Sequence, residues 1–145
     1  MHPNPFALLG LSPTFSLDAR TLEKAYFDAQ RKSHPDQFSR ATPEAKADAA
    51  RLSTAINQAY LCLKDPLQRA AVLLAQAGVE PLASDPSFLM QVMEWREAQS
   101  AGEDVTAELA AQETLFLQQL GEGFDVQDFE RVRHLLYRLT YLRSL

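Results

Sequence analysis

An all-α architecture accounts for this chain on three grounds. Apolar side chains recur three and four positions apart rather than at every second position. Val and Ile are scarce beside Ala, Leu, Gln, Glu and Arg, the residues that helices favour. Glycine and proline punctuate the rest at Pro13, Pro35, Pro43, Pro66, Gly78 with Pro81, Pro86, Gly102, and Gly121 with Gly123, which leaves about six or seven helices. With 145 residues and 46% apolar content, the chain can bury a core.

The elements follow in order. Over Asp18 to Ser33, Leu22, Ala25, Tyr26 and Ala29 share one side at helical spacing and must pack on something. Opposite them Arg20, Lys24 and Arg31 form a basic ridge with Phe27 beside it. Glu23 and Asp28 sit close by, so an ordinary solvated face is the alternative. The helix stops at "HPD": Pro35 lacks an amide hydrogen and biases His34 away from helical angles, which turns the Asp36 carboxylate outward. A carboxylate held at such a tip suits a bidentate arginine from a partner.

Thr42 caps the next helix, with Pro43 at its first position and a stripe of Ala45, Ala49, Leu52, Ile56, Ala59 and Leu63. Two amphipathic helices joined by residues 34–42 pack antiparallel, and that loop becomes the tip of the hairpin. Asp65-Pro66 opens a third helix, apolar nearly all round from Ala70; the expectation is burial on every side, wedged between the two halves of the chain.

"GVEPLASD", Gly78 to Asp85, reads as a linker, so the domains are expected at 1–78 and 84–145. Asp85-Pro86 starts a helix reaching about Gln99 with two greasy faces: Phe88, Val92 and Trp95 on one, and Leu89, Met90 and Met93 on another beside Glu94 and Glu97. Leu109, Phe116 and Leu120 give a middle helix its inward face. A last helix, Asp125 to Arg143, turns Phe129, Val132, Leu136 and Leu139 inward and Tyr137 almost opposite. Three helices with short joins form an antiparallel bundle. A surface of Leu, Met and Tyr edged with carboxylates suits a protein partner.

Composition narrows the function. A net charge of -5 disfavours general nucleic-acid binding, leaving only the basic run "RVRHLLYRLTYLR", Arg131 to Arg143, as a basis for that alternative. The single cysteine, Cys62, permits no intrachain disulfide, and no Cys/His spacing matches a zinc site. No leader or membrane-spanning run is evident, so a soluble, cytoplasmic protein is expected. An enzyme using His34 as base or Cys62 as nucleophile lacks a partner group at catalytic spacing. His2 and His134 are expected to be exposed, solvated and without function.

His34-Pro35-Asp36 between a basic helix and a second helix, with "NPFALLGL" ahead and "INQAYLCLKDPLQRA" behind, resembles the J-domain family of co-chaperones. With "FLMQVMEWRE", Phe88 to Glu97, ahead of a helical C-terminal region, nearly the whole chain is similar to the HscB-type J-domain co-chaperones of iron-sulfur cluster assembly. The resemblance implies a J-domain followed by a three-helix bundle in an L-shaped arrangement, and no chemistry of its own. It implies that His34, Pro35 and Asp36, with Arg20, Lys24, Phe27 and Arg31, dock on an HscA-type 70-kilodalton heat-shock chaperone and stimulate its ATPase. It further implies that Leu89, Met90, Met93, Glu94, Glu97 and Tyr137 bind an IscU-type scaffold protein. A general J-domain protein with a different client is the alternative. Gln37 stands where many members carry lysine, "AQSAGED" is shorter and less acidic than usual, and the zinc-binding cysteines of some eukaryotic members are missing. No metal, cofactor, membrane or nucleic acid is therefore expected, and the protein is expected to be a monomer alone.

Overall fold

A computed structural model describes residues 4–33 and 42–145. Among the described residues there are seven helices and no strand: α1 (Pro5–Leu8), α2 (Ala19–Ser33), α3 (Pro43–Lys64), α4 (Pro66–Gln76), α5 (Pro86–Ser100), α6 (Thr106–Asp125) and α7 (Phe129–Arg143). The three caps expected beside prolines are all made. Thr42 Oγ1 accepts from the Ala45 amide at 3.2 Å, Asp65 Oδ1 from Leu67 at 3.1 Å, and Asp85 Oδ1 from Phe88 at 3.3 Å. The chain divides into two compact units, Met1–Arg69 and Ala70–Leu145, so the boundary falls inside α4.

In the first unit α1 and α2 both pack on α3. Phe6, Leu9, Leu22, Ala49, Ile56, Ala59 and Leu63 are buried there. A reciprocal polar pair sets the register of α2 on α3: Gln30 Nε2 donates to the Ser53 carbonyl at 3.1 Å, and Ser53 Oγ donates to Gln30 Oε1 at 2.7 Å. Arg69 closes the unit by donating to the Phe15 carbonyl at 2.8 Å and to the Leu63 carbonyl at 2.7 Å, with its guanidinium 4.9 Å from the Phe15 ring. Burial draws the Arg69 pKa down, and the nearby Asp65 carboxylate opposes it. One member of the expected α3 stripe departs from it: Leu52 is 44% exposed.

In the second unit α6 and α7 pack against each other, and Phe88 of α5 lies edge-on to Trp95 and to Phe116, each with ring centroids 6.0 Å apart. The glycines expected to end the middle helix do not: α6 runs through Gly121 and Gly123 to Asp125. The last helix accordingly starts later than expected, where Asp128 Oδ1 accepts from the Arg131 amide at 3.2 Å. Its buried stripe is Val132, Leu135, Leu139 and Leu142, whereas Phe129 and Leu136 are half-buried. Leu109 of α6 is half-buried as well. The connecting helix α4 is not greasy-side-in all round, since Ala70 and Leu74 are buried while Ala71 is exposed. No described helix is long and apolar enough to cross a membrane.

Candidate functional site

The basic ridge forms on α2 because the buried Leu22 fixes which side of the helix faces the core. Arg20, Lys24, Phe27 and Arg31 are all exposed, Phe27 by 56%. Arg31 reaches Asp28 at 2.8 Å, an exposed pair one turn apart that contributes little stability and leaves the ridge basic. His34, Pro35 and Asp36, with Gln37, lie outside the described residues. The helices on both sides of them are in place, with α2 ending at Ser33 and α3 beginning at Pro43.

A second surface lies on α5. Burying Phe88, Val92 and Trp95 at 5%, 3% and 7% exposure turns the other side of the helix outward. Met90 and Met93 are 69% and 63% exposed, Glu94 and Glu97 are exposed, and Leu89 is half-buried at the edge. Met93 and Glu97 line an open hollow of about 510 Å³ with Arg96, Ser100 and Ala101. Tyr137 is half-buried on α7 with its ring 5.0 Å from that of Tyr141. Tyr141's hydroxyl raises the Tyr137 phenol pKa, and the backbone of Asp85 opposes the shift. That relation brings Tyr137 to the start of α5, one turn ahead of Leu89.

Some residues at these surfaces carry more than their positions in the sequence suggest. His134 is not a free solvated side chain: its Nδ1 lies 3.6 Å from Asp85 Oδ2 and its Nε2 3.4 Å from Glu130 Oε1. Tyr26, expected in the core stripe, is half-buried in an aromatic stack with Tyr60. The His134–Asp85 and Tyr26–Tyr60 contacts cross between elements, which spacing along one helix cannot report, whereas the Glu130 contact lies one turn away on α7 itself. His2 lies outside the described residues.

Burial, and then the Asp65 carboxylate, push the Cys62 thiol above its ordinary pKa, which makes a poor nucleophile of the half-buried sulfur. Among the described residues, no group of three or more His, Cys, Asp or Glu side chains is placed to hold a metal ion.

Two family models divide the chain between them. The DnaJ domain model matches residues 4–72, and the HSCB C-terminal oligomerisation domain model matches residues 84–145. The co-chaperone protein HscB homolog of Burkholderia vietnamiensis is 37% identical, with the match covering 91% of this chain and 86% of that protein. The homolog from Pseudoalteromonas atlantica is 36% identical, covering 98% and 91%. Among solved structures, human co-chaperone protein HscB matches with a TM-score of 0.88 at 27% identity, over 98% of this chain and 78% of that one. Chaperone HscB from Vibrio cholerae matches with a TM-score of 0.81 at 32% identity, over 98% and 92%. With a J-domain in its first half, an HscB C-terminal domain in its second and co-chaperones as its relatives, the chain belongs to the HscB co-chaperone family.

Proposed function

We propose that this protein is an adaptor of iron-sulfur cluster assembly in the cytoplasm. Its J-domain stimulates the ATPase of an HscA-type 70-kilodalton heat-shock chaperone, and its C-terminal bundle delivers an IscU-type scaffold to that chaperone. In this reading residues 1–78 form the J-domain with the connecting helix, and residues 84–145 hold the scaffold. His34, Pro35 and Asp36 act with Arg20, Lys24, Phe27 and Arg31 on the chaperone, while Leu89, Met90, Met93, Glu94, Glu97 and Tyr137 contact the scaffold. The protein does no chemistry itself; it brings the scaffold to the chaperone as hydrolysis is triggered.

The observation that carries the reading is the exposure of Met90 and Met93, 69% and 63%, on a helix whose other side is packed. Two adaptable thioether chains left in water beside Glu94 and Glu97 suit a partner surface that is apolar with a basic rim. The basic ridge belongs to the other unit, which supports the reading of two separate surfaces for two different partners.

A coupled ATPase assay with chaperone and scaffold tests it. Stimulation by this protein and scaffold together is expected to exceed the sum of each alone. Asp36→Asn should abolish stimulation and leave scaffold affinity unchanged by calorimetry, while alanine at Leu89, Met90 and Met93 should do the reverse. Equal stimulation by the Asp36 variant refutes the role of the tip. Full synergy with a client other than the scaffold, and none with the scaffold, would establish a general J-domain protein instead.

A further inference from the structure

The aromatic side chains of α2 are braced from α3. Tyr26 stacks tilted on Tyr60 with ring centroids 4.3 Å apart, and its hydroxyl donates to Oδ1 of Asn57. The Tyr26 ring also meets Phe27 edge-on, with centroids 5.5 Å apart. Lys64 Nζ lies 5.8 Å from the centroid of Tyr60. Three rings therefore run in contact from α3 to the 56%-exposed Phe27, which stands on the ridge of Arg20 and Lys24. An exposed phenylalanine with no neighbour samples several rotamers, and fixing it in a complex costs entropy. Edge-on contact with a ring that is itself clamped removes part of that freedom before the partner arrives.

We propose that Tyr60 and Asn57 are positioning residues for chaperone docking: acting through Tyr26, they hold the Phe27 ring in the orientation that the chaperone engages. The surface so presented fits a partner patch that is acidic, to meet Arg20 and Lys24, with an apolar notch for Phe27. This inference rests on the reading of α2 as the chaperone-binding face, and it adds a part of α3 that touches no partner.

The test is a titration of full-length protein into the ATPase assay with the HscA-type chaperone, with Asp36→Asn as reference. Tyr60→Leu removes the stack, and the concentration for half-maximal stimulation is expected to rise about two- to tenfold at an unchanged maximal rate. Tyr60→Phe keeps the ring and should behave as the unaltered protein. Asn57 is exposed, so Asn57→Leu spares the core and should raise the half-maximal concentration by a smaller factor even if Tyr60→Leu fails to fold. The inference is overturned if neither the leucine at 57 nor that at 60 moves the half-maximal concentration, or if Tyr60→Phe is as impaired as Tyr60→Leu. Undiminished stimulation by Asp36→Asn would instead bring down the docking reading itself, and the inference with it.

Discussion

Arg138 of α7 donates through Nε to Oδ2 of Asp85 at 2.9 Å, with its guanidinium 5.5 Å from the Phe88 ring and 5.9 Å from the Phe116 ring. Asp85 is 4% exposed, and its Oδ1 accepts from Ser87 Oγ at 3.0 Å and from the Phe88 amide at 3.3 Å. One carboxylate thus caps α5 and ties it to α7. It fixes where α5 begins, while the burial of Phe88, Val92 and Trp95 turns Met90 and Met93 outward.

Asp85→Ala removes the cap and leaves Arg138 without its carboxylate. The loss combines a cap of about 1 kcal/mol with a charged hydrogen bond of about 1.5–3 kcal/mol. We expect the second unit to lose about 2.5–4 kcal/mol, read as a lower urea midpoint in Trp95 fluorescence, since Trp95 is the only tryptophan. Asp85→Asn keeps the shape and part of the cap and should lose less. A midpoint unmoved in Asp85→Ala would show that the Arg138 contact contributes no net stability.

The same carboxylate gives the unit an acid limit. Burial on its own raises the Asp85 pKa, but hydrogen bonds from Arg138, Ser87 and the Phe88 amide more than offset it, and the folded value lies below the ordinary one. A depressed folded pKa contributes stability that is complete above the unfolded value, about 3.9, and disappears as pH falls through the folded value. The urea midpoint of the unaltered protein should therefore stand further above that of Asp85→Asn at neutral pH than below about pH 4, where the two converge. A constant gap across that range contradicts the assignment.

Much of the architecture could be read from spacing. The caps at Thr42, Asp65 and Asp85 and the buried face of α5 rest on local geometry and are found in place, whereas on α2 Leu22 alone of the expected stripe is buried and Ala25, Tyr26 and Ala29 are half-buried. What could not be read was decided between helices. Gly121 and Gly123 look like a helix stop, yet Gly123 is helical and buried because α7 approaches it closely. The stripe of α7 turned on whether Leu135 or Leu136 faces inward, adjacent residues that differ only by the register on α6. On the candidate surfaces, exposure of Met90, Met93 and Phe27 was legible as residue types left over once the core stripes were assigned. The Tyr26–Tyr60 stack and the Asp85–Arg138 bond span 34 and 53 positions of sequence, beyond any local pattern.

Cys62 offers a check on the packing at the end of α3. A raised pKa keeps the sulfur protonated near neutrality, and half-burial limits approach to it. Iodoacetamide at neutral pH should label it more slowly than free cysteine assayed alongside, and urea should abolish the difference. Labelling in the folded protein as fast as that of free cysteine would contradict both the burial and the direction of the shift.

Gly123 poses the sharper test of close packing. A Cβ built there would lie 2.8 Å from Cγ2 of Val132, a fully buried side chain whose branched Cβ leaves it one comfortable helical rotamer. Helix propensity favours alanine over glycine by about 1 kcal/mol, whereas overpacking costs about 1–3 kcal/mol. Gly123→Ala should accordingly destabilise the second unit by about 1 kcal/mol, seen as a lower urea midpoint in Trp95 fluorescence. Val132→Ala removes the obstructing methyl, so in that background the same Gly123→Ala change should reverse sign and stabilise by roughly its propensity gain. Because the reversal requires the two side chains to meet, a Gly123→Ala effect of equal sign and size in both backgrounds would mean that α7 does not press on α6 at this point.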